Sequence, residues 1–167
     1  MKEYLNFGSL NNKQNNLSMK IKLTFLSAIA IGLIAIVLQS FSLKTTGEPW
    51  KKEQLMEPSE LAAIINNPNA KKPIIYSVGP GADIKGSIEM GAAQEKENLD
   101  KFKAALSKLD KNAEIVLLCG CCPFEHCPNI RPSFELMNEM KFTNHKLLNL
   151  PHNLKVDWID KGYPMNQ

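Results

Sequence analysis

The chain has 167 residues, which leaves room for one domain. Its apolar share of 44% and its charged share of 22% are ordinary for a globular protein. Four of the 20 basic residues and one of the 17 acidic residues lie in the first 42 positions, so the rest of the chain carries 16 of each. Binding to a phosphate backbone needs clustered lysine and arginine, so this neutral body excludes nucleic acid as an expected partner.

Residues 1–42 are typical of a targeting segment rather than of a folded domain. A polar, Asn-rich stretch precedes Met19, a second candidate start, which opens the basic tetrapeptide Met-Lys-Ile-Lys; an apolar run follows at residues 23–38. The small residues after this run suit cleavage, whereas its length falls just short of the roughly 20 residues of a spanning helix. We therefore expect export, either as a cleaved periplasmic protein or as one anchored in the membrane by its N-terminus and facing the periplasm or the outside.

The rest of the chain alternates helix and strand patterns. Residues 43–57 are polar and predict a linker in which Trp50 docks on the domain, and the folded domain is expected at residues 58–167. Strands are predicted at residues 74–78, 114–118 and 144–150, and helices at 58–67, at 95–109, after Arg131 and at 154–161. The alternation predicts an α/β fold, a small parallel sheet with helices on both faces, in which sites form beyond the carboxyl ends of the strands.

The cysteines are concentrated in one short stretch, at Cys119, Cys121, Cys122 and Cys127. The run Ile-Val-Leu-Leu ends at Cys119, which predicts a buried strand that opens into a loop before a helix. Unpaired N–H groups and the helix dipole stabilise a thiolate at a helix N-terminus, so the pKa of a cysteine is lowered there. Four cysteines within nine residues cannot link distant parts of a fold, so they indicate one local site of sulfur chemistry.

The cysteine pattern leaves several chemistries open. Cys119 and Cys122 form a Cys-x-x-Cys unit, which suits a thiol–disulfide redox protein. A structural disulfide that holds the loop is another interpretation. Together with His126, the four thiols also suit zinc or copper(I). We expect the crowding within nine residues to make a tetrahedral cage hard to close, and we therefore predict no metal and no other cofactor.

The order of elements over essentially the whole body resembles the rhodanese family of sulfurtransferase domains. Three pieces carry the resemblance: Asp-Ile-Lys-Gly-Ser-Ile at residues 83–88, the strand that ends at Cys119, and Trp-Ile-Asp-Lys-Gly-Tyr-Pro at residues 158–164. The chain has Ser-Val-Gly at residues 77–79 where the family usually has Asp-x-Arg, and its active loop is longer and richer in cysteine.

The resemblance implies a persulfide cycle. Cys119 is then the nucleophile that takes sulfane sulfur from a small anionic donor and passes it to a thiol or to cyanide. The loop backbone, including Gly120, would cradle the anion, and Arg131, the single arginine, would bind the oxygens of the donor. Cys121 or Cys127 would resolve the persulfide as a disulfide. The redox protein described above and a non-catalytic module that binds a metal or a partner on the same fold remain the alternatives.

Overall fold

A parallel sheet organises the part of the chain that the computed structural model describes, residues 47–81 and 84–166. Within these residues five strands lie in the order β1-β5-β4-β2-β3, and every pairing is parallel. The strands are β1 (Leu55–Met56), β2 (Ile74–Ser77), β3 (Ser87–Glu89), β4 (Ile115–Leu118) and β5 (His145–Leu148). The α-helices are α1 (Pro58–Asn66), α2 (Lys96–Leu106), α3 (Ile130–Glu139) and α4 (Leu154–Asp157).

The central position of β4 follows from its composition. Its four residues are all apolar and all buried, which is the pattern of a strand covered on both faces. Residues of β4 alternate between two hydrophobic clusters, because successive side chains of a strand point to opposite faces. Ile115 and Leu117 pack with α2 and α3 on one face, and Val116 and Leu118 pack with α1 and α4 on the other.

The prediction of an α/β fold with a parallel sheet is confirmed. The three predicted strands correspond to β2, β4 and β5, each within two residues of the expected bounds. Two short edge strands were not predicted. β1 lies in the segment that we assigned to a linker, and it pairs with β5, so the folded unit begins before Pro58. A strand of two residues carries too little alternation to be recognised from sequence alone.

Two further expectations concern tryptophans. Trp50 docks on the domain as predicted: its side chain is 8% exposed and packs edge-on against Phe124 and Phe134. The last predicted helix, residues 154–161, is wrong as a single helix. It consists of α4 and a 3-10 turn at Ile159–Lys161, separated at Trp158, whose backbone leaves the helical region.

The targeting segment at residues 1–42 and Asp83 of the family-like motif lie outside the described residues. In the described part of the chain, none of the helices combines the length and the apolar character needed to cross a membrane.

Candidate functional site

The cysteine loop begins where β4 ends and is folded back on itself. Phe124 is buried against Trp50, and its N–H donates to the carbonyl of Leu150 over 3.3 Å. The carbonyl of Gly120 accepts a hydrogen bond from the N–H of Leu154, at the start of α4. A 3-10 turn at Phe124–His126 reverses the chain, so that Cys127 returns to the end of β4. An apolar residue in the middle of the loop therefore holds the thiols in place.

All four cysteine sulfurs lie in one cluster, which we call the thiol cluster: Cys119, Cys121, Cys122 and Cys127. Their Sγ atoms all lie within 4.8 Å of one another, and all four side chains are free thiols. The Sγ of Cys121 is 3.3 Å from that of Cys119 and 3.2 Å from that of Cys122. The crowding does not keep the four thiols apart, because the chain reversal brings Cys127 back to the other three. The expected difficulty of closing a tetrahedral cage stays a prediction.

Burial divides the thiol cluster into an inner and an outer side. Cys119 and Cys127 are 2% and 4% exposed, whereas Cys122 is half-buried and Cys121 is exposed. Cys119 continues the alternation of β4 and packs in the same hydrophobic cluster as Leu117. A small reagent from solvent therefore meets Cys121 first.

The pKa values of the thiols differ within the thiol cluster. The pKa of Cys127 is lowered to about 5, mainly because its sulfur accepts a hydrogen bond from Cys119 and also accepts from the backbone N–H groups of Asn129 and Ile130. The pKa of Cys119 is raised, first because its thiol donates to Cys127 and then because it is buried. Burial, together with hydrogen bonds to Cys121 and Cys127, raises the pKa of Cys122 to about 12. The lowered pKa thus belongs to Cys127, beside the N-terminus of α3, a position that favours the thiolate form.

Asn129 is a site residue that the sequence interpretation missed. Its side chain is 2% exposed, its Nδ2 lies 3.7 Å from the Sγ of Cys119 in donor geometry, and its Oδ1 accepts from the N–H of Gln94 over 3.0 Å. A buried amide with both ends engaged fixes the orientation of that donor. The sequence signal that could have identified Asn129 is its position, since it is a polar residue directly before the helix that follows the last cysteine.

Gly79 allows Cys119 to approach the neighbouring strand. It follows β2, which pairs with β4, and a Cβ atom at this position would stand 2.1 Å from the Sγ of Cys119. Such a separation is far below any real Cβ contact, so the sulfur occupies space that only glycine leaves open.

The contacts of Arg131 that the structure describes are with Gly47, Glu48 and Trp50 rather than with the thiols. Arg131 lies inside α3, which begins two residues earlier than expected, and its guanidinium donates to the carboxylate of Glu48 over 3.0 Å and to the carbonyl of Gly47 over 3.2 Å. The same group lies over the ring of Trp50. These contacts hold residues 47–50 against α3. The role in donor binding that the resemblance implies for Arg131 stays a prediction.

The remaining candidate ligand, His126, is exposed at the tip of the loop and is not part of the thiol cluster. Two pieces of the family-like pattern do meet: the N–H of Lys85 donates to the carbonyl of Pro164 over 3.2 Å, and Ile84 forms a bridge with Met165. Comparison of the chain with protein-family models, curated proteins and solved structures found no significant match.

Proposed function

We propose that this protein is a rhodanese-like sulfurtransferase that carries sulfane sulfur as a persulfide on Cys119. The observation that carries the proposal is the position of this thiol, beyond the carboxyl end of the central strand of a parallel sheet and within 4.8 Å of three other free thiols. Carboxyl ends of parallel strands are where such folds place their sites. The proposal includes a rhodanese-like fold and an exported location for the domain.

The first chemical step forms the persulfide. The thiol proton of Cys119 must first pass to the sulfur of Cys127, which is an uphill step because the pKa of Cys119 is raised and that of Cys127 is lowered. The Cys119 thiolate then attacks the outer sulfur of a donor such as thiosulfate. A new S–S bond forms, the S–S bond of the donor breaks, and its electron pair leaves on sulfite. The carrier thus gains one sulfur atom without any other oxidant or reductant.

The second step returns the sulfur to an acceptor. A thiolate or cyanide attacks the terminal sulfur, and the electron pair of the broken S–S bond returns to Cys119. The Nδ2 group of Asn129, which is 3.7 Å from the Sγ of Cys119, would stabilise the sulfur anion between the two steps. When no acceptor is present, Cys121, whose sulfur is 3.3 Å from that of Cys119, attacks the persulfide and releases hydrosulfide as a disulfide forms.

Mass spectrometry tests the proposal directly. Reduced protein freed of metal by a chelator is incubated with thiosulfate or polysulfide, and its intact mass and loop peptides are measured. We expect one added sulfur atom on Cys119, and its loss on addition of cyanide. Cys119→Ser should abolish loading, whereas Glu125→Gln, an exposed change in the same loop, should leave it unaltered.

Two results would overturn the proposal. Undiminished loading of Cys119→Ser would move the carrier to another thiol and remove the assignment. Because Cys121 can also convert the persulfide into a disulfide, a loss of two hydrogen atoms contradicts the proposal only when no hydrosulfide is released. That result would identify thiol–disulfide exchange as the chemistry instead.

A further inference from the structure

The thiol cluster has the geometry of a metal centre as well as that of a sulfur carrier. Four sulfurs from one loop lie close together, with every Sγ within 4.8 Å of the others. None of the four is in a disulfide. Four thiols packed this closely cannot all lose their protons without strong mutual repulsion. A cation among them removes that repulsion, since metal binding and loss of the thiol proton are coupled.

The distances suit a tetrahedral site made only of thiolates. With a zinc–sulfur distance of about 2.3 Å, the sulfurs of a regular tetrahedron lie about 3.8 Å apart. The closest pairs here, at 3.3 and 3.2 Å, fall below this value, and the upper limit of 4.8 Å lies above it. Each sulfur would therefore move by no more than about 1 Å to reach the bonded geometry, which rotation of the side chains can supply.

The surroundings suit the negative charge of such a centre. Four thiolates around a divalent ion leave a net charge of −2. The backbone N–H groups of Asn129 and Ile130, at the start of α3, and the amide of Asn129 point at the inner sulfurs. Cys121 on the exposed side leaves an entry path from solvent, and Cys119 and Cys127 close the inner side.

We propose that Cys119, Cys121, Cys122 and Cys127 together bind one thiophilic d¹⁰ ion, Zn²⁺ or Cu⁺, as a four-thiolate centre. Soft thiolate donors select these ions over magnesium and calcium, which take oxygen ligands. The proposal does not depend on sulfur transfer. The two states exclude each other, because a metal bound to Cys119 occupies the electron pair that a persulfide needs.

Titration of the metal-free, reduced protein tests the centre, without any sulfur donor present. Zn²⁺ is added in competition with a chromophoric chelator, Cu⁺ in competition with a copper(I) chelator, and Co²⁺ in parallel, since its visible spectrum reports tetrahedral thiolate coordination. We expect one equivalent of Zn²⁺ or Cu⁺ to bind and the cobalt spectrum to show four sulfur ligands.

Single substitutions identify the ligands. Cys121→Ser and Cys122→Ser, which change the less buried ligands, should weaken binding by more than about 100-fold, since even changes behind the ligands cost about 10- to 100-fold. Histidine is a typical metal ligand, and His126 lies in the same loop but outside the thiol cluster. The His126→Ala variant should therefore bind the metal as tightly as the parent protein. Circular dichroism confirms that each variant is folded.

Absence of binding, or binding that survives both cysteine substitutions, would overturn the metal centre. Loss of binding in His126→Ala would do the same, because a histidine would then replace one of the four thiolates. Since metal is measured without donor and sulfur loading is measured without metal, failure of one proposal leaves the other standing.

Discussion

Replacing Gly79 with alanine tests whether the packing around Cys119 is as tight as the structure describes. The added Cβ would lie 2.1 Å from the Sγ of Cys119 and 3.2 Å from the Nδ2 of Asn129. To reach an ordinary van der Waals separation of ~3.5 Å, the sulfur must move by about 1.4 Å or the strands must part. Both responses disturb a thiol that is 2% exposed within a close-packed cluster.

The magnitude follows from two opposing terms. Overpacking of a well-packed site costs about 1–3 kcal/mol of unfolding free energy. Alanine also restricts the unfolded chain, which returns about 0.4–1 kcal/mol. The backbone of Gly79 lies outside the left-handed region, so no conformational strain is added. We expect Gly79→Ala to lower the free energy of unfolding by about 1–2 kcal/mol and to slow sulfur loading of Cys119.

Urea unfolding followed by the fluorescence of the two tryptophans, Trp50 and Trp158, measures the stability, and mass spectrometry measures the loading. Gly81→Ala is the matched control. Gly81 has a φ of 75° and nothing within 4 Å of its added Cβ, so alanine there brings backbone strain without a clash. The Gly81→Ala variant should lose about 1–2 kcal/mol of unfolding free energy and should load sulfur at the rate of the parent protein. If Gly79→Ala matches the parent protein in both stability and loading, the close approach of Cys119 to this strand is wrong.

Three other predictions follow from single side chains. Asn129→Ala should lower the free energy of unfolding by about 1–3 kcal/mol, because the N–H of Gln94 loses its acceptor, and it should slow sulfur loading. Asn129→Asp should keep more of the stability yet still load slowly. Equal loading of the parent and both variants would refute the role of the amide. Burial lowers the pKa of His145, so the unfolded chain binds the proton more tightly and stability should fall as the pH drops below the unfolded value of about 6.5. Urea midpoints at several pH values check this, and a His145→Gln variant with the same acid dependence as the parent would contradict it. Arg131→Ala should lower the free energy of unfolding by less than about 1 kcal/mol, because its pair with Glu48 is partly exposed to solvent. If Arg131 binds the donor, as the resemblance implies, loading with thiosulfate should slow; an unchanged loading rate would contradict that role.

The sheet could be predicted because its signals are local. Continuous apolar runs mark β2 and β4 as buried strands, and the regular spacing of apolar residues marks the helices between them. The position of Cys119 directly after β4 placed a thiol at the carboxyl edge of the sheet. Short edge strands such as β1 and β3 escaped, because two or three residues carry no clear period.

The roles within the thiol cluster could not be predicted from spacing. The sequence indicated Cys119 with Cys122, whereas the sulfur of Cys121 lies 3.3 Å from that of Cys119 and 3.2 Å from that of Cys122. The lowered pKa lies at Cys127, first because its sulfur accepts from the Cys119 thiol and then because it accepts from the backbone N–H groups of Asn129 and Ile130. Hydrogen-bond direction depends on where the chain turns, and no residue pattern within the loop encodes it.

By itself the sequence determined that the domain is α/β, that its central strands are buried, and that its cysteines gather at one strand end, since hydrophobic periodicity and cysteine spacing act over a few residues. Only the tertiary structure decided which atoms meet. Phe124 is held against Trp50 and turns the loop back, Gly79 of the adjacent strand makes room for Cys119, and Glu48 engages Arg131 across 83 positions of the chain. Such contacts depend on packing between distant segments, so they become visible only once the chain has folded.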